Sequence, residues 1–456
     1  MTRPIPPLDL IWLLMETPTG TGHIGALMVF EEPPGRPAVV DEIVDAYRGF
    51  PPTPPFNFVP RLISLRPHFI EKADWDPAYH VSRVTLPSGS SYPDLLRLVA
   101  DLHGAMLPHD RPLFRFWLID GVPGERFAIY AKFHHSIVDG MSALRRVYQG
   151  LSTTADHTVP APLYALASSE PVAPPRPLRA RVTAALRTTI AQLRAVGRLS
   201  IALFRKVLAA VGGAQPVGSL PFFARRASIN KPLTRGRGYA TLSLPLDELR
   251  AVAQRFGATV NDVAAAVVDA GLHAYLAETG NAFADRLIAM CPVSLRNDGD
   301  AAVGTRVSAV FARLGDPGAA PEERIRQVAE SLATAKGEIT AMPTDDAMTF
   351  ATGVAGLAGA LSLSHLDRIT RPVCNVVISN MPGTRETRYL NGARLAGLYP
   401  VPGLAASLGL NVTLLSNADQ VDFGFLADTS AIADVAVLAD HTLRAFGELK
   451  AAAANA

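Results

Sequence analysis

Apolar residues alternate with small or polar residues from Phe127 to Phe133. This period of two predicts a β-strand, with His135 on its apolar, inward face and His134 on the opposite face. After Gly140 the apolar positions take the spacing of a helix, at Met141, Leu144, Val147 and Tyr148. The two histidines are therefore predicted to lie where a strand ends and a helix begins.

Both halves of the chain mix the strand and helix periods. The second half predicts strands near residues 241–244, 290–296, 375–380, 406–415 and 421–425. It also predicts a helix that follows the first strand and ends near residue 256, and helices near 263–276 and 434–452. With 456 residues, of which 48% are hydrophobic, the chain is long enough for two α/β domains with separate cores. We place the N-terminal domain at residues 1–151, a connecting segment at 152–238 and the C-terminal domain at 239–456.

The connecting segment carries an excess of positive charge, which acidic residues elsewhere in the chain largely offset. It opens with a linker rich in proline and continues with a basic amphipathic helix predicted at residues 178–211. Residues 171–246 contain no Asp or Glu, although the whole chain has a net charge of only +2. Such a helix could lie on an anionic membrane, bridge the domains or attract the phosphates of coenzyme A. Nucleic acid is disfavoured, because no binding motif accompanies the charge.

Three further features bear on location. The uncharged run at residues 347–364 barely reaches the length of a membrane span and is weakly hydrophobic, so it predicts a packed helix, with contact at a membrane surface as a hypothesis. Cys291 and Cys374 are too few for a disulfide scaffold. The first eighteen residues lack a signal-peptide pattern. We expect a cytoplasmic protein, in peripheral contact with the inner membrane face or with lipid inclusions.

The chemistry of His135 is that of a general base. A neutral imidazole in a semi-apolar channel can accept a proton at physiological pH, which contributes roughly 10²–10⁴-fold in rate. Asp139 is interpreted as the partner of an arginine, because an unpaired buried carboxylate is costly. The sequence contains no G-x-S-x-G nucleophile motif. These features predict direct transfer of an activated acyl group to a hydroxyl that His135 deprotonates.

Two other kinds of site are disfavoured. A metal site built from His134, His135 and Asp139 would need adjacent strand residues to point the same way, and no further ligand is apparent. Residues 20–25 satisfy G-x-G-x-x-G, but a helical pattern precedes them and a strand pattern follows. A dinucleotide site requires the reverse order.

The run His134–Gly140 resembles the HHxxxDG signature of a superfamily that includes chloramphenicol acetyltransferase, carnitine acyltransferases and peptide-synthetase condensation domains. Several other stretches occur in the order found in the bacterial wax ester synthase/diacylglycerol acyltransferase family. They are Pro7-Leu8-Asp9 leading to Glu16 and His23-Ile24-Gly25, Arg111-Pro112-Leu113-Phe114, Val260-Asn261-Asp262-Val263, Pro292-Val293-Ser294-Leu295-Arg296 and Val377-Ile378-Ser379-Asn380-Met381-Pro382-Gly383. The chain is therefore similar to that family over nearly its whole length.

The resemblance implies two chloramphenicol-acetyltransferase-like domains with a channel between them and His135 at its middle. It also implies His134, Asp139 and Gly140 as motif residues, and Arg296 as the structural ion-pair partner of Asp139. Three polar residues are candidates for the oxyanion site or the channel wall, each with helix or turn capping as the alternative: Asn261, Ser379 and Asn380.

The implied reaction makes wax esters, triacylglycerol or both from acyl-coenzyme A and a fatty alcohol or diacylglycerol. Acyl-coenzyme A is a substrate, and no cofactor or metal is expected. Two alternatives stay open: an enzyme of the condensation type that uses another acceptor or a carrier-protein thioester, and a lipid-binding protein without catalysis. The intact motif disfavours the second.

Overall fold

The computed structural model describes residues 2–36, 38–64, 66–167, 220–294, 307–405 and 407–455. Within these ranges the chain forms two six-stranded mixed sheets, one three-stranded sheet and the helices that cover them. The predicted mixed α/β fold is confirmed. The predicted basic helix at residues 178–211 and Arg296 lie outside the described residues.

The N-terminal half alternates strands with short helices. In chain order its elements are β1 (Thr2–Pro4), α1 (Pro7–Leu14), β2 (His23–Glu31), α2 (Val39–Gly49), β3 (Phe58–Arg61), β4 (His68–Glu71), α3 (Pro77–His80), β5 (Val81–Thr85), α4 (Tyr92–Gly104), β6 (Phe114–Val122), β7 (Arg126–His134) and α5 (Gly140–Gln149).

The C-terminal half has longer helices. Its elements are β8 (Arg237–Pro245), α6 (Leu246–Arg255), α7 (Val260–Glu278), β9 (Ile288–Ser294), β10 (Val307–Arg313), α8 (Pro321–Thr340), α9 (Thr344–Leu363), a 3₁₀ turn (Leu366–Arg368), β11 (Val376–Met381), β12 (Tyr389–Leu390), β13 (Ala393–Val401), β14 (Leu410–Asn417), β15 (Gln420–Asp428) and α10 (Val435–Asn455).

Strand β7 lies near the middle of the N-terminal sheet, whose order is β12-β13-β2-β7-β6-β5. Phe127 and Phe133 face a core shared with α2 and α5, whereas Ala128 and Tyr130 face a second core shared with α4. The predicted alternation is present, but both faces of the strand are buried. A strand covered on both sides needs side chains that tolerate burial at every position.

The placement of the two histidines therefore differs from the sequence prediction. His134, expected on the face opposite the core, is completely buried. His135, expected to point inward, follows the last residue of β7 and is only partly buried. The periodicity identified the strand correctly but carried no information on the layer that covers its second face.

The C-terminal sheet has the order β10-β9-β11-β14-β15-β8, and β11 runs parallel to both of its neighbours. The largest core of the protein lies on one face of this sheet, where α6, α7, α8 and α10 pack. The closing helix predicted at residues 434–452 is α10. Its apolar stripe includes Leu438, Phe446 and Leu449.

One hairpin of the C-terminal half pairs with the N-terminal sheet. β13 lies antiparallel beside β2, from Arg394 opposite Glu31 to Val401 opposite Gly25. The predicted range 239–456 is therefore not one spatial unit, because β12 and β13 complete the other sheet. The physical reason is that β2 would otherwise expose its hydrogen-bonding edge, which sequence periodicity cannot reveal.

The two sheets meet at β13. Leu398 donates its main-chain N–H to the Asp422 carboxylate over 2.9 Å, and Tyr239 Oη donates to the Pro400 carbonyl over 3.0 Å. Burial raises the pKa of Asp422 to about 6 although several groups donate to it. Gly424 lies so close that an added Cβ would stand 1.8 Å from the Pro400 oxygen.

Helix α9 corresponds to the uncharged run in the sequence. It is the one helix in the described part of the chain that is long and apolar enough to cross a membrane, with a mean hydropathy of 1.2 over eighteen residues. Only 17% of that stretch is buried. The predicted helix exists, but the expectation that it packs away from solvent is wrong, because α1 covers only part of it.

We expect Gly424→Ala to destabilise the protein by roughly 1–3 kcal/mol or more, because the new methyl group would collide with the Pro400 carbonyl. Gly353→Ala is the matched control. Gly353 lies inside α9 with no other atom within 4 Å of an added Cβ, so alanine should stabilise by up to about 1 kcal/mol. Denaturant unfolding measures both changes, and equal stabilities for the two variants would contradict the close approach of β13 to β15.

Candidate active site

The HHxxxDG run forms a strand end, a turn and a helix start. The His135 main-chain N–H donates to the Gly22 carbonyl over 2.8 Å, and the Ile137 N–H donates to the His134 carbonyl over 3.1 Å. Asp139 then caps α5 by accepting the N–H of Ser142 over 2.9 Å and its hydroxyl over 3.0 Å. An aspartate at this position satisfies donors that a helix start leaves unpaired.

The His135 ring is held on one face, and the residue is partly exposed. Trp12 of α1 stacks on it with ring centroids 4.6 Å apart and planes inclined by 20°. Burial lowers the pKa of His135 below its ordinary value, while the nearby Asp139 carboxylate opposes that shift. The ring is therefore mostly neutral near pH 7, as a proton acceptor must be.

A general base needs a ring nitrogen with an available lone pair, and a neutral imidazole has one. The lowered pKa of His135 therefore suits it to accept a proton.

Behind the motif, three imidazoles surround the buried carboxylate of Glu16. His109 Nε2 lies 2.6 Å from Glu16 Oε2, while His134 Nε2 and His23 Nε2 lie 3.3 Å and 3.4 Å from Oε1. The Gly22 N–H also donates to Oε1 over 3.2 Å. Burial alone would raise the pKa of Glu16, but hydrogen bonds to His109 and His134 outweigh it and hold that pKa at about 2.

A second carboxylate lies near Asp139. Burial raises the pKa of Asp9 to about 6, Arg3 opposes the shift, and the negative charge of Asp139 adds to it. Asp9 belongs to the N-terminal stretch that carried the family resemblance. Its titration must be separated from that of His135 in any pH experiment.

The remaining predicted residues lie on β11 and on α7. The end of β11 is next to the motif, because a Cβ added to Gly140 would be 3.2 Å from the Sδ of Met381. Ser379 and Asn380 are partly exposed residues of the same strand. They lie in the strand instead of the turn that the capping alternative required. They remain candidates for the channel wall.

Asn261 begins the first turn of α7 and is partly exposed. Thr259 and Asp262 form a reciprocal capping box at that helix start, with Thr259 N–H donating to the Asp262 carboxylate over 2.9 Å. Capping is thus already provided by its neighbours. The prediction that Asn261 helps to bind the oxyanion stays a prediction.

The described residues offer few groups for other chemistry. Cys291 and Cys374 are buried, and burial raises the pKa of the Cys291 thiol to about 12. Ser136 is 4% exposed, and its Oγ lies 2.7 Å from His134 Nδ1. Among the residues that the structure describes, no set of three His, Cys, Asp or Glu side chains is arranged to hold a metal ion.

Sequence reasoning missed four residues of this site: Trp12, Glu16, His109 and Met381. Glu16 was noted only as part of a resembling stretch, and His109 lies 93 residues from it in the chain. The available signal was chemical. A glutamate in an apolar N-terminal segment and a histidine beside the strand pair both required a polar partner if they were buried.

Two family models match this chain. The model of the wax ester synthase/diacylglycerol acyltransferase catalytic domain matches residues 5–264, and the model of the C-terminal domain of that family matches residues 303–450. The chain belongs to the wax ester synthase/diacylglycerol acyltransferase family. This family member is therefore an acyltransferase, as the resemblance implied.

Individual relatives agree with this assignment. The probable diacylglycerol O-acyltransferase Tgs4 of Mycobacterium tuberculosis is 34% identical over 99% of this chain and 97% of its own. The O-acyltransferase WSD of Acinetobacter baylyi is 30% identical over 96% of this chain and 95% of its own.

Solved structures confirm the fold. A wax ester synthase/diacylglycerol acyltransferase from Marinobacter aquaeolei superposes with a TM-score of 0.79 at 28% identity, covering 99% of this chain and 100% of that one. The first condensation domain of the calcium-dependent antibiotic synthetase superposes with a TM-score of 0.57 at 18% identity, covering 99% and 96%. The second likeness concerns the fold alone.

We expect the acid limb of the pH profile of kcat/KM to lie below the ordinary histidine value of about 6.5, because burial favours neutral His135. Asp139→Asn should move that limb to still lower pH, since it removes a charge that favours imidazolium, and asparagine can still cap α5. Initial rates over the acid range measure both effects. The Asp9→Asn variant separates the titration of Asp9, and an upward shift in Asp139→Asn would contradict the assignment.

Proposed function

We propose that this acyltransferase moves a fatty acyl group from coenzyme A to the hydroxyl of a fatty alcohol or diacylglycerol. The products are a wax ester or triacylglycerol and free coenzyme A. The observation that carries the proposal is the state of His135: it is partly exposed, it stacks on Trp12, and burial lowers its pKa so that the ring is mostly neutral near pH 7.

In the proposed step, His135 Nε2 takes the proton of the acceptor hydroxyl as the oxygen attacks the thioester carbonyl. The tetrahedral intermediate then collapses, the carbon–sulfur bond breaks, and the imidazolium returns the proton to the thiolate. Holding donor and acceptor together makes the attack effectively unimolecular. Nothing is oxidised or reduced, so the reaction needs no redox cofactor.

Direct transfer is favoured over an acyl-enzyme by the burial of Ser136 and of both cysteines. Ser136 is only 4% exposed, and both cysteine thiols are buried with raised pKa values. A thiol whose pKa is raised by burial is a poor nucleophile at neutral pH. In this scheme Asp139 and Gly140 hold the turn, Arg296 pairs with Asp139, and Asn261, Ser379 and Asn380 contact the oxyanion or line the channel.

The names of the relatives favour lipid acceptors. The proteins from Mycobacterium tuberculosis and Marinobacter aquaeolei are named for diacylglycerol and wax esters. An enzyme of the condensation type that takes a carrier-protein thioester remains the alternative, because the fold is shared with condensation domains. Comparing palmitoyl-coenzyme A with a carrier-bound palmitoyl thioester separates the two donors.

We also propose that the protein works at a lipid surface on the cytoplasmic side of the membrane or on lipid inclusions. The supporting feature, called here the α9 surface, is a set of exposed apolar side chains: Leu14, Leu357, Leu363, Leu366 and Ile369. Exposed apolar clusters next to basic residues are typical of proteins that lie on anionic lipid. Arg368 and Arg371 provide that exposed positive charge.

The α9 surface adjoins a cavity that reaches Trp12. This cavity, of about 170 Å³, is lined by Trp12 and Glu16 on one side and by Ser362, His365 and Arg368 on the other. A hydrophobic acceptor leaving the lipid surface would therefore come close to the wall against which His135 stacks. The arrangement favours an acceptor that enters from the lipid side.

We expect His135→Ala to lower activity by about 10²–10⁴-fold, because it removes the proposed base. His134→Ala should cost less, since that ring is buried between Ser136 and Glu16 and takes no proton from the acceptor in the proposed step. The measurement is thin-layer chromatography of esters formed from palmitoyl-coenzyme A, with hexadecanol and diacylglycerol offered separately. The reverse ranking of the two variants would overturn the assignment of the base.

Ile369→Asp should weaken binding to anionic vesicles, because Ile369 is 82% exposed at the centre of the proposed contact. Activity toward a short, water-soluble alcohol should stay unchanged. Ile63→Asp is the matched control, since Ile63 is fully exposed on the β3–β4 connection and outside the α9 surface. Co-sedimentation with phosphatidylglycerol vesicles measures binding, and equal losses in both variants would argue against this surface.

A further inference from the structure

The carboxylate of Glu16 lies behind the motif, where it contacts His134 directly and is connected to His135 through the main chain of Gly22. Its side chain is only 3% exposed, and it accepts from the Gly22 N–H and from His109. The nearby Lys132 ammonium is also buried, and burial lowers its pKa to about 7. A carboxylate in such a place must be held by specific donors, because an unpaired buried charge is costly.

His134 lies against that carboxylate, and its other contacts show how its ring is turned. The main-chain N–H of Ser136 points at His134 Nδ1 over 3.1 Å, and a main-chain N–H can only donate. Nδ1 is therefore unprotonated, and neutral His134 carries its proton on Nε2. That nitrogen lies 3.3 Å from Glu16 Oε1, so the His134 ring is held between Ser136 and Glu16.

The same short segment also holds His135. Gly22 donates its N–H to Glu16 and accepts the N–H of His135 on its carbonyl. Trp12, four residues before Glu16, stacks on the His135 ring. The fit is close, since a Cβ added at Gly22 would stand 2.5 Å from His134 Nε2. Residues 12–22 thus fix both histidines from one side.

We propose that Glu16 is a positioning residue for acyl transfer: through His134 and Gly22 it fixes the turn that aims His135 at the substrates. This inference rests on the proposed role of His135 as the base. Glu16 itself exchanges no proton with a substrate. Misplacing a catalytic group by about 1 Å can cost 10²-fold in rate, so loss of this carboxylate should act on kcat.

One rival interpretation uses the same atoms. Ser136, His134 and Glu16 are connected in the order of a nucleophile, a base and an acid. In a triad of that kind Ser136 would form an acyl-enzyme, and Glu16 would hold His134 while that histidine takes the serine proton. In the positioning role Ser136 only orients His134. Replacing Ser136 therefore separates the two interpretations.

The test measures kcat and the KM for palmitoyl-coenzyme A in the full-length protein. Glu16→Ala should lower kcat by about 100-fold and leave this KM within about twofold. Glu16→Gln should lose less than about tenfold, because the amide oxygen can still accept from Gly22 and lie against His134. Glu16→Asp, which withdraws the carboxylate by one methylene, should be slower than Glu16→Gln. This last comparison decides the matter if Glu16→Ala does not fold.

Asp269→Asn is the control for stability. Asp269 is a buried carboxylate of α7 that binds Arg324 and the Gly315 N–H, far along the chain from the motif. The Asp269→Asn substitution should lower the free energy of unfolding without changing kcat per folded molecule. Circular dichroism gives the folded fraction of every variant.

Three results would overturn the inference. Glu16→Ala or Glu16→Asp could match the wild type in kcat, the loss in Glu16→Ala could equal its unfolded fraction, or Ser136→Ala could be as inactive as His135→Ala. The last result would replace positioning by covalent catalysis. If His135→Ala keeps its activity, the proposed base fails. If His135→Ala is inactive while the Glu16 variants are normal, only the positioning role fails.

Discussion

The structure depends on a strand that is covered on both faces up to its last residue. Because β7 lies between two hydrophobic cores, water cannot satisfy the polar groups of His134 at its end. The Ser136 main-chain N–H donates to Nδ1 on one side of the ring, and Glu16 Oε1 lies 3.3 Å from Nε2 on the other. The buried histidine is thereby fixed, and the next residue, His135, emerges from the core in a defined direction. Burial of one histidine and exposure of the next follow from where the strand stops.

The pairing of β13 with the N-terminal sheet joins the two halves of the protein. The hairpin completes the N-terminal sheet beside β2, while Leu398 and Pro400 bond to residues of β15 and β8. The strand that holds His135 and the strand that carries Met381 are therefore parts of one connected framework. A rigid support of this kind suits the proposed transfer, in which both substrates meet at one imidazole. In the same proposal, the α9 surface and its cavity give an apolar acceptor its route.

The sequence predicted the local structure around the motif well. The period changes from two to that of a helix between Phe133 and Met141, and β7 and α5 lie there. The order of resembling stretches predicted the family and the fold. The roles of the individual site residues stay predictions. Arg296, the predicted partner of Asp139, lies outside the described part of the chain.

What the sequence could not predict depends on contacts between distant segments. Lys132 and Tyr130 look like residues of an outer face, yet α4 covers them. Glu16 meets His109 and His134 only after folding, because no local pattern joins residues so far apart. The same holds for β13, whose own pattern fits a strand of either sheet.

In the proposed mechanism the acyl group passes directly from the thioester to the alcohol, with His135 as the base and without an acyl-enzyme. Intact-protein mass spectrometry tests this claim. The enzyme is mixed with palmitoyl-coenzyme A alone and then with hexadecanol. The account predicts an unmodified protein mass before hexadecanol is added and ester formation afterwards. A protein carrying one acyl group, which disappears when hexadecanol is added, would contradict it.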